Sequence, residues 1–177
     1  WAYDAAGNLR LRTNGALVQT FTLDSVNELT NITRTGAFTL AGATPAPATS
    51  VTVNGLAAEI YGDFTFARTN LALVNGSNSF TNVAQNVYGF AATNTFTANL
   101  PASVALGYDA NGNLTNDGVK MLSYNAENQL TNVMVASKFK KDFVYDGLNR
   151  LRIKREYSWN GSAWSETNEM RFIWDGN

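Results

Sequence analysis

The sequence contains neither cysteine nor histidine. Without thiols there is no disulfide framework and no cysteine nucleophile, and the redox compartment cannot be read from thiol usage. Without imidazole, Ser-His-Asp triads and the usual zinc and copper ligand sets are excluded. Charge is also scarce. Asp, Glu, Lys and Arg make up 15% of the chain, against roughly 25% in ordinary soluble domains. The formal net charge is -1 and the pI is about 5.4, so no global field draws the chain to nucleic acid or anionic lipid. No apolar run approaches the roughly 18 residues of a membrane span. The chain opens on Trp1 with no basic, apolar signal segment and closes on Trp174-Asp175-Gly176-Asn177, so it reads as a piece cut from a longer polypeptide.

What is present points to β structure. Hydrophobic residues make up 45%, enough for a buried core. The polarity comes from Asn, Thr, Ser and Gly, which favour turns and weaken helix interiors by competing for backbone hydrogen bonds. The clearest feature is internal repetition. An aromatic or apolar residue, then Asp or Asn, then a Gly/Asn-rich turn, then Leu recurs along the chain. The first copies are Tyr3-Asp4-Ala5-Ala6-Gly7-Asn8-Leu9 and Leu23-Asp24-Ser25-Val26-Asn27-Glu28-Leu29. Three more are Tyr108-Asp109-Ala110-Asn111-Gly112-Asn113-Leu114, Tyr124-Asn125-Ala126-Glu127-Asn128-Gln129-Leu130 and Tyr145-Asp146-Gly147-Leu148-Asn149-Arg150-Leu151. Trp174-Asp175-Gly176 begins a sixth. The spacing runs from 16 to 29 residues except between Leu23 and Tyr108, where an insertion of roughly 65 residues must sit.

Each copy reads as a β-hairpin. The aromatic ends one strand, the Asp bonds its own downstream backbone, Gly or Asn supplies positive φ, and the Leu starts the return strand. In Arg150-Leu151-Arg152-Ile153-Lys154 the alternation is strict, as in a half-buried strand. The expected anchors are Tyr3, Tyr108, Tyr124, Tyr145 and Trp174, with Asp4, Asp24, Asp109, Asn125, Asp146 and Asp175 as turn caps.

These residues resemble the tyrosine–aspartate (YD) repeats of the Rhs and teneurin-like families, over 1–32 and 107–177. The resemblance implies a large secreted or surface-exposed parent whose repeats coil as a β-sheet spiral into a shell. In such families the shell encloses a toxic C-terminal domain or supports adhesion. Two departures stand out. The usual basic residue after Gly is Asn at Asn8 and Asn113, and arginine only at Arg150. The family's self-cleaving core motif and toxin domain are absent, so neither cleavage nor toxicity is implied for this piece.

The insertion has its own likeness, to small bacterial immunoglobulin-like sandwiches. It carries Ser50-Val51-Thr52-Val53-Asn54-Gly55-Leu56-Ala57-Ala58, then Phe64-Thr65-Phe66, Leu71-Ala72-Leu73 and Gly76-Ser77-Asn78. Short strands with turn signals at about ten-residue spacing support a sandwich independently. Ala41-Gly42-Ala43-Thr44-Pro45-Ala46-Pro47-Ala48 is the most linker-like stretch.

Chemistry fares poorly against structural readings. The aspartates occupy equivalent positions, whereas acid–base catalysis needs carboxylates in unlike environments. Asp109-Ala110-Asn111-Gly112-Asn113 resembles a calcium loop, but its twelfth position is Lys120 instead of a bidentate Glu. The cations Lys138, Lys140, Lys141, Arg150, Arg152, Lys154 and Arg155 would share a face if their strands pair across Asp146-Gly147. They then make either a site for an acidic polymer or a solvated face. Tyr157, Trp159 and Trp164 flank Asn160-Gly161, which favours a type I′ hairpin, and would either stack on sugars or pack across strands.

The expectation is therefore an all-β, antiparallel YD-repeat hairpin sheet, a shell or spiral segment, with an inserted small β-sandwich. Residues 1–32 and 107–177 are repeats and 33–106 the insert. The expected role is a non-enzymatic extracellular scaffold whose partner is the rest of its parent chain. No cofactor, metal, nucleic acid or membrane span is expected. The alternative is a glycan- or surface-protein-binding module using the insert or the Trp159/Trp164 hairpin.

Overall fold

A computed structural model describes residues 1–176. Its elements are all strands. They are β1 (Ala2–Tyr3), β2 (Leu9–Asn14), β3 (Leu17–Leu23), β4 (Leu29–Thr35), β5 (Phe38–Ala43), β6 (Ser50–Val53) and β7 (Leu56–Ala57). Then come β8 (Glu59–Ile60), β9 (Thr65–Leu71), β10 (Gly76–Gln85), β11 (Ala91–Leu100), β12 (Ser103–Ala105) and β13 (Gly107–Tyr108). The last are β14 (Leu114–Asn116), β15 (Met121–Tyr124), β16 (Leu130–Val135), β17 (Phe139–Tyr145), β18 (Leu151–Trp159) and β19 (Trp164–Arg171). The all-β expectation holds. Packing divides the chain into two compact units, Trp1–Thr22 with Asn31–Val104, and Leu23–Thr30 with Ala105 onward.

The first unit holds the dry core. A three-stranded sheet, β5-β9-β8, and a four-stranded sheet, β11-β10-β6-β7, supply its side chains. Leu40, Phe66 and Leu71 come from the former, Val51, Val53 and Phe80 from the latter, and all six are buried in one cluster. Alternation explains the choice: Val51 and Val53 point inward while Thr52 between them does not. Each such side chain contributes about 1.5–3 kcal/mol on leaving water. Of the Phe64-Thr65-Phe66 triplet only Phe66 reaches the core, and Phe64 lies exposed with φ of 65°. Gly42 makes the close packing possible, because a Cβ there would sit 2.8 Å from the Phe66 ring. The one buried polar side chain of this unit, Asn78, is fully satisfied. Its Oδ1 accepts from Val74 N–H, and its Nδ2 donates to the Val74 and Gly76 carbonyls. The same unit holds most of the sheet β1-β2-β3-β4-β12, in which Arg34 N–H donates to the Ala102 carbonyl at 2.9 Å.

The second unit is built differently. Strands β13 to β19 follow one another in sequence order as a seven-stranded antiparallel meander. Val135 is its one buried apolar residue among the described residues, and β16, β17 and β18 are half-buried along almost their whole length. The segment Leu23–Thr30 belongs here, and Leu106 N–H donates to the Thr30 carbonyl at 2.9 Å.

Two local expectations need correction. The cations of β17 and β18 fall on both faces. Lys141 pairs with Glu156 in the register and Lys140 with Tyr157, so adjacent lysines point to opposite sides. The Asn160-Gly161 connection is no type I′ hairpin: Trp159 pairs with Trp164, leaving a four-residue loop with positive φ at Gly161 but not at Asn160. The Asn160 side chain explains it, since Oδ1 accepts from both Ser162 N–H and Ala163 N–H. The two-residue turn occurs instead at Asn54-Gly55, where φ is 50° and 76°. There Asn54 turns its amide to β10, accepting from Thr81 N–H and donating to the Ser79 carbonyl.

Candidate functional site

The repeated segments share one geometry, built around an Asx side chain. In the first copy Asp4 Oδ1 accepts from Ala6 N–H at 3.0 Å and Asn8 N–H at 2.9 Å. The backbone closes the loop, with Asp4 N–H donating to the Asn8 carbonyl and Gly7 N–H to the Asp4 carbonyl. The same four bonds recur at Asp24, Asp109, Asn125 and Asp146. The third residue after the cap always has positive φ: Gly7, Asn27, Gly112, Asn128 and Asn149. That is why the position is Gly or Asn, the residues that tolerate left-handed backbone. A further copy lies in the insertion, where Asn86 caps Tyr88 and Phe90 and Gly89 takes φ of 84°. The sequence reading missed it because Gln85 replaces the aromatic; the Asn-x-x-Gly spacing was the available signal.

The fourth residue after the cap closes onto it. Asn8 Nδ2 donates to Asp4 Oδ2, Asn113 Nδ2 to Asp109 Oδ2, and Arg150 Nε to Asp146 Oδ2, while Asn125 Nδ2 donates to Gln129 Oε1. Asn at Asn8 and Asn113 thus does what arginine does at Arg150. These donors hold Asp4, Asp109 and Asp146 ionised. Asn8 N–H lowers the Asp4 carboxyl, and the Asn113 side chain lowers Asp109. At Asp146 burial pulls upward, but the Arg150 and Leu148 N–H groups and the Arg150 guanidinium outweigh it. Among the five complete copies read from the sequence Glu28 is the exception, a carboxylate where Asn8, Asn113, Gln129 and Arg150 carry a donor. Desolvation, then the charges of Asp24 and Asp109, raise its pKa.

In the second unit successive turns are also bonded to each other. Asn111 Nδ2 and Asn113 Nδ2 both donate to Asn128 Oδ1, at 3.0 and 2.8 Å. Gln129 Nε2 donates to Asn149 Oδ1 at 3.1 Å, and Arg150 Nη1 to the Gly176 carbonyl at 3.0 Å. A polar ladder therefore runs from the Asp109 turn through those at Asn125 and Asp146 to Gly176.

The aromatic anchors add a second set of clips. Tyr3, Tyr108, Tyr124 and Tyr145 each stand at a register shift, paired with Leu9, Leu114, Leu130 and Leu151 respectively. Tyr108 Oη donates to the Leu29 carbonyl and Tyr145 Oη to the Leu130 carbonyl, at 3.2 and 3.1 Å. Trp174 Nε1 donates likewise to the Leu151 carbonyl at 3.0 Å. Each of these anchors thus reaches the closing leucine of an earlier copy, which demands an apolar ring with a donor at its tip. Tyr108, Tyr124 and Tyr145 are half-buried, whereas Tyr3 is 60% exposed. Asp175 is exposed, and the sixth copy runs into Asn177, which lies outside the described residues.

The remaining candidates sit on the same sheet. Trp159 and Trp164 meet edge to face with centroids 5.1 Å apart, and Lys140 Nζ lies 4.6 Å over the Tyr157 ring. The basic residues alternate with carboxylates: Lys141 and Lys154 both reach Glu156, Lys140 reaches Asp142, and Arg155 reaches Glu169. Hydrogen bonds from Lys154, then Lys141, lower the Glu156 pKa to about 2. A cleft of about 470 Å³ is lined by the turns at 125–129 and 145–149 together with Phe143. Its amides and the Tyr145 hydroxyl are engaged in the ladder and clips.

Among the described residues no three His, Cys, Asp or Glu side chains gather to hold a metal ion, and no helix is long and apolar enough to cross a membrane. The Asp109 oxygens that a calcium loop would offer are occupied by Asn111 N–H, Asn113 N–H and Asn113 Nδ2. No family model matches the sequence, and no curated protein matches it.

Proposed function

We propose that this chain is a scaffold segment of a secreted or surface-exposed YD-repeat protein, a stretch of β shell carrying an immunoglobulin-like insert. Its work is mechanical: enclosing or displaying a domain encoded elsewhere in the parent polypeptide. The observation that supports this reading is the rung-by-rung bonding of the Asx turns, joined to the Tyr108, Tyr145 and Trp174 clips. The conspicuous polar groups of the repeats are spent on one another, so their chemistry is cohesion between neighbouring units.

The test is a thermal-shift screen of the chain against a saccharide library, run beside a ladder-cut variant, Gln129→Ala with Tyr145→Phe, which removes the bonds to Asn149 and Leu130. A scaffold gives no ligand-induced shift, and the variant melts earlier because two neighbour bonds are lost. A saccharide that raises the melting temperature of the chain, an increase lost in Trp164→Ala, would replace the scaffold with a binding module.

A further inference from the structure

The two-layer insert has four sheet edges, and three are blunted. Strands β7 and β8 are two residues long, too short to template a partner. Strand β5 shifts register between Phe38 and Leu40. Short edges and bulges are devices by which proteins discourage edge-to-edge pairing. Strand β11 has neither. It runs ten residues as the outermost strand of its sheet and pairs with β10 from Gly76↔Leu100 to Gln85↔Ala91 without one register shift. It also lacks the usual guard charges. No charged residue occurs between Arg68 and Asp109.

The side chains of β11 are self-complementary. Phe96 faces inward against Phe80, with ring centroids 5.3 Å apart, yet remains 43% exposed because no strand lies beyond it. Ala98 and Leu100 share that inner face, and Thr93, Thr95, Thr97 and Asn99 alternate onto the outer one. An antiparallel copy centred on Phe96 would set Phe96 against Phe96, Thr95 against Thr97 and Thr93 against Asn99. Inner residues then meet inner residues and outer meet outer. Aromatic and threonine cross-strand pairs are favourable, and no like charges oppose. The ladder would end at Asn99, because the Arg34 guanidinium already takes the Leu100 and Pro101 carbonyls.

We propose that β11 is a docking edge for a second copy of itself, joining two four-stranded sheets about a two-fold axis through Phe96. A copy suits this edge better than a charged foreign strand, since strand and partner are then equally uncharged and matched in register.

The chain has no cysteine, which gives a clean test. Thr95→Cys protein mixed with Thr97→Cys protein should form disulfide-linked dimers on mild oxidation. Either variant alone should not, because position 95 faces 97 and never itself. In sedimentation velocity the native chain should run as a dimer that Thr97→Lys abolishes, while the far-UV circular dichroism of the folded chain is kept. A native monomer at every concentration, a dimer that survives Thr97→Lys, or cross-linking equal in mixed and single samples would each overturn the proposal. So would a monomer that captures only an unrelated extended peptide, which would give the edge to a foreign strand.

Discussion

The segment from Phe38 to Leu100 and the meander from Gly107 to Arg171 solve the same problem in different ways. The first buries six apolar side chains between two sheets and carries three charges, Glu59, Asp63 and Arg68. The second buries only Val135 and spreads its cohesion over turn ladders, tyrosine clips and ion pairs. All eight ion pairs among the described residues lie between Asp117 and Arg171. A two-layer core gains stability from volume, whereas a half-buried sheet must gain it strand by strand from neighbour contacts. The two regions should therefore break under different insults.

The largest effect belongs to the core. Phe80→Ala should cost about 3–5 kcal/mol, the usual loss for a buried phenylalanine. The sandwich holds no tryptophan; Trp159, Trp164 and Trp174 all report on the second unit, and a Trp1→Phe background removes the remaining one. In urea, the near-UV phenylalanine signal should shift while the tryptophan transition stays. A tryptophan midpoint that fell equally would dissolve the distinction. Next comes Tyr145. Removing its half-buried ring, Tyr145→Ala, should cost about 2–4 kcal/mol, and Tyr145→Phe, which removes only the bond to Leu130, about 1 kcal/mol. Here the tryptophan transition should move and the core signals should not. A Phe variant as stable as the native chain would deny the clip its role.

Acid should sharpen the same contrast. Glu156 has a folded pKa of about 2 against an ordinary 4.5. Its contribution is fully present above 4.5 and is lost as pH falls from there towards 2. Asp109, Asp146 and Glu169 shift in the same direction. Tryptophan fluorescence should therefore report earlier melting below pH 4.5, with the sandwich signals lagging. The smallest effect is a gain. Glu28→Gln replaces the raised carboxylate with the residue found at Gln129, so the melting temperature should rise slightly at pH 7. That gain should disappear in acid, where Glu28 is protonated and no longer opposes Asp24 and Asp109.

Much of the repeat is legible in the sequence. An Asx side chain and its own downstream N–H groups lie within a few residues, so the turn at Asp109 follows from local chemistry. The burial of Val51 and Val53 was not read from the sequence, although period-two alternation puts both on one face of their strand. Asn160-Gly161 was misread because one dipeptide suits two turns, and the choice fell to whether Asn160 bonded its own loop. Asn54-Gly55 went the other way because Thr81 and Ser79 of a distant strand claimed its amide.

From its own residues the chain specified strands, turn types at most repeats, and a missing chemistry of thiols and imidazoles. Those are matters of neighbours along the backbone, where spacing alone sets geometry. Tertiary structure decided which turn bonds to which, that Tyr145 reaches Leu130, that adjacent lysines part to opposite faces, and that β11 is left at an edge. Such contacts join residues far apart in sequence, and pairing register, not local preference, determines them.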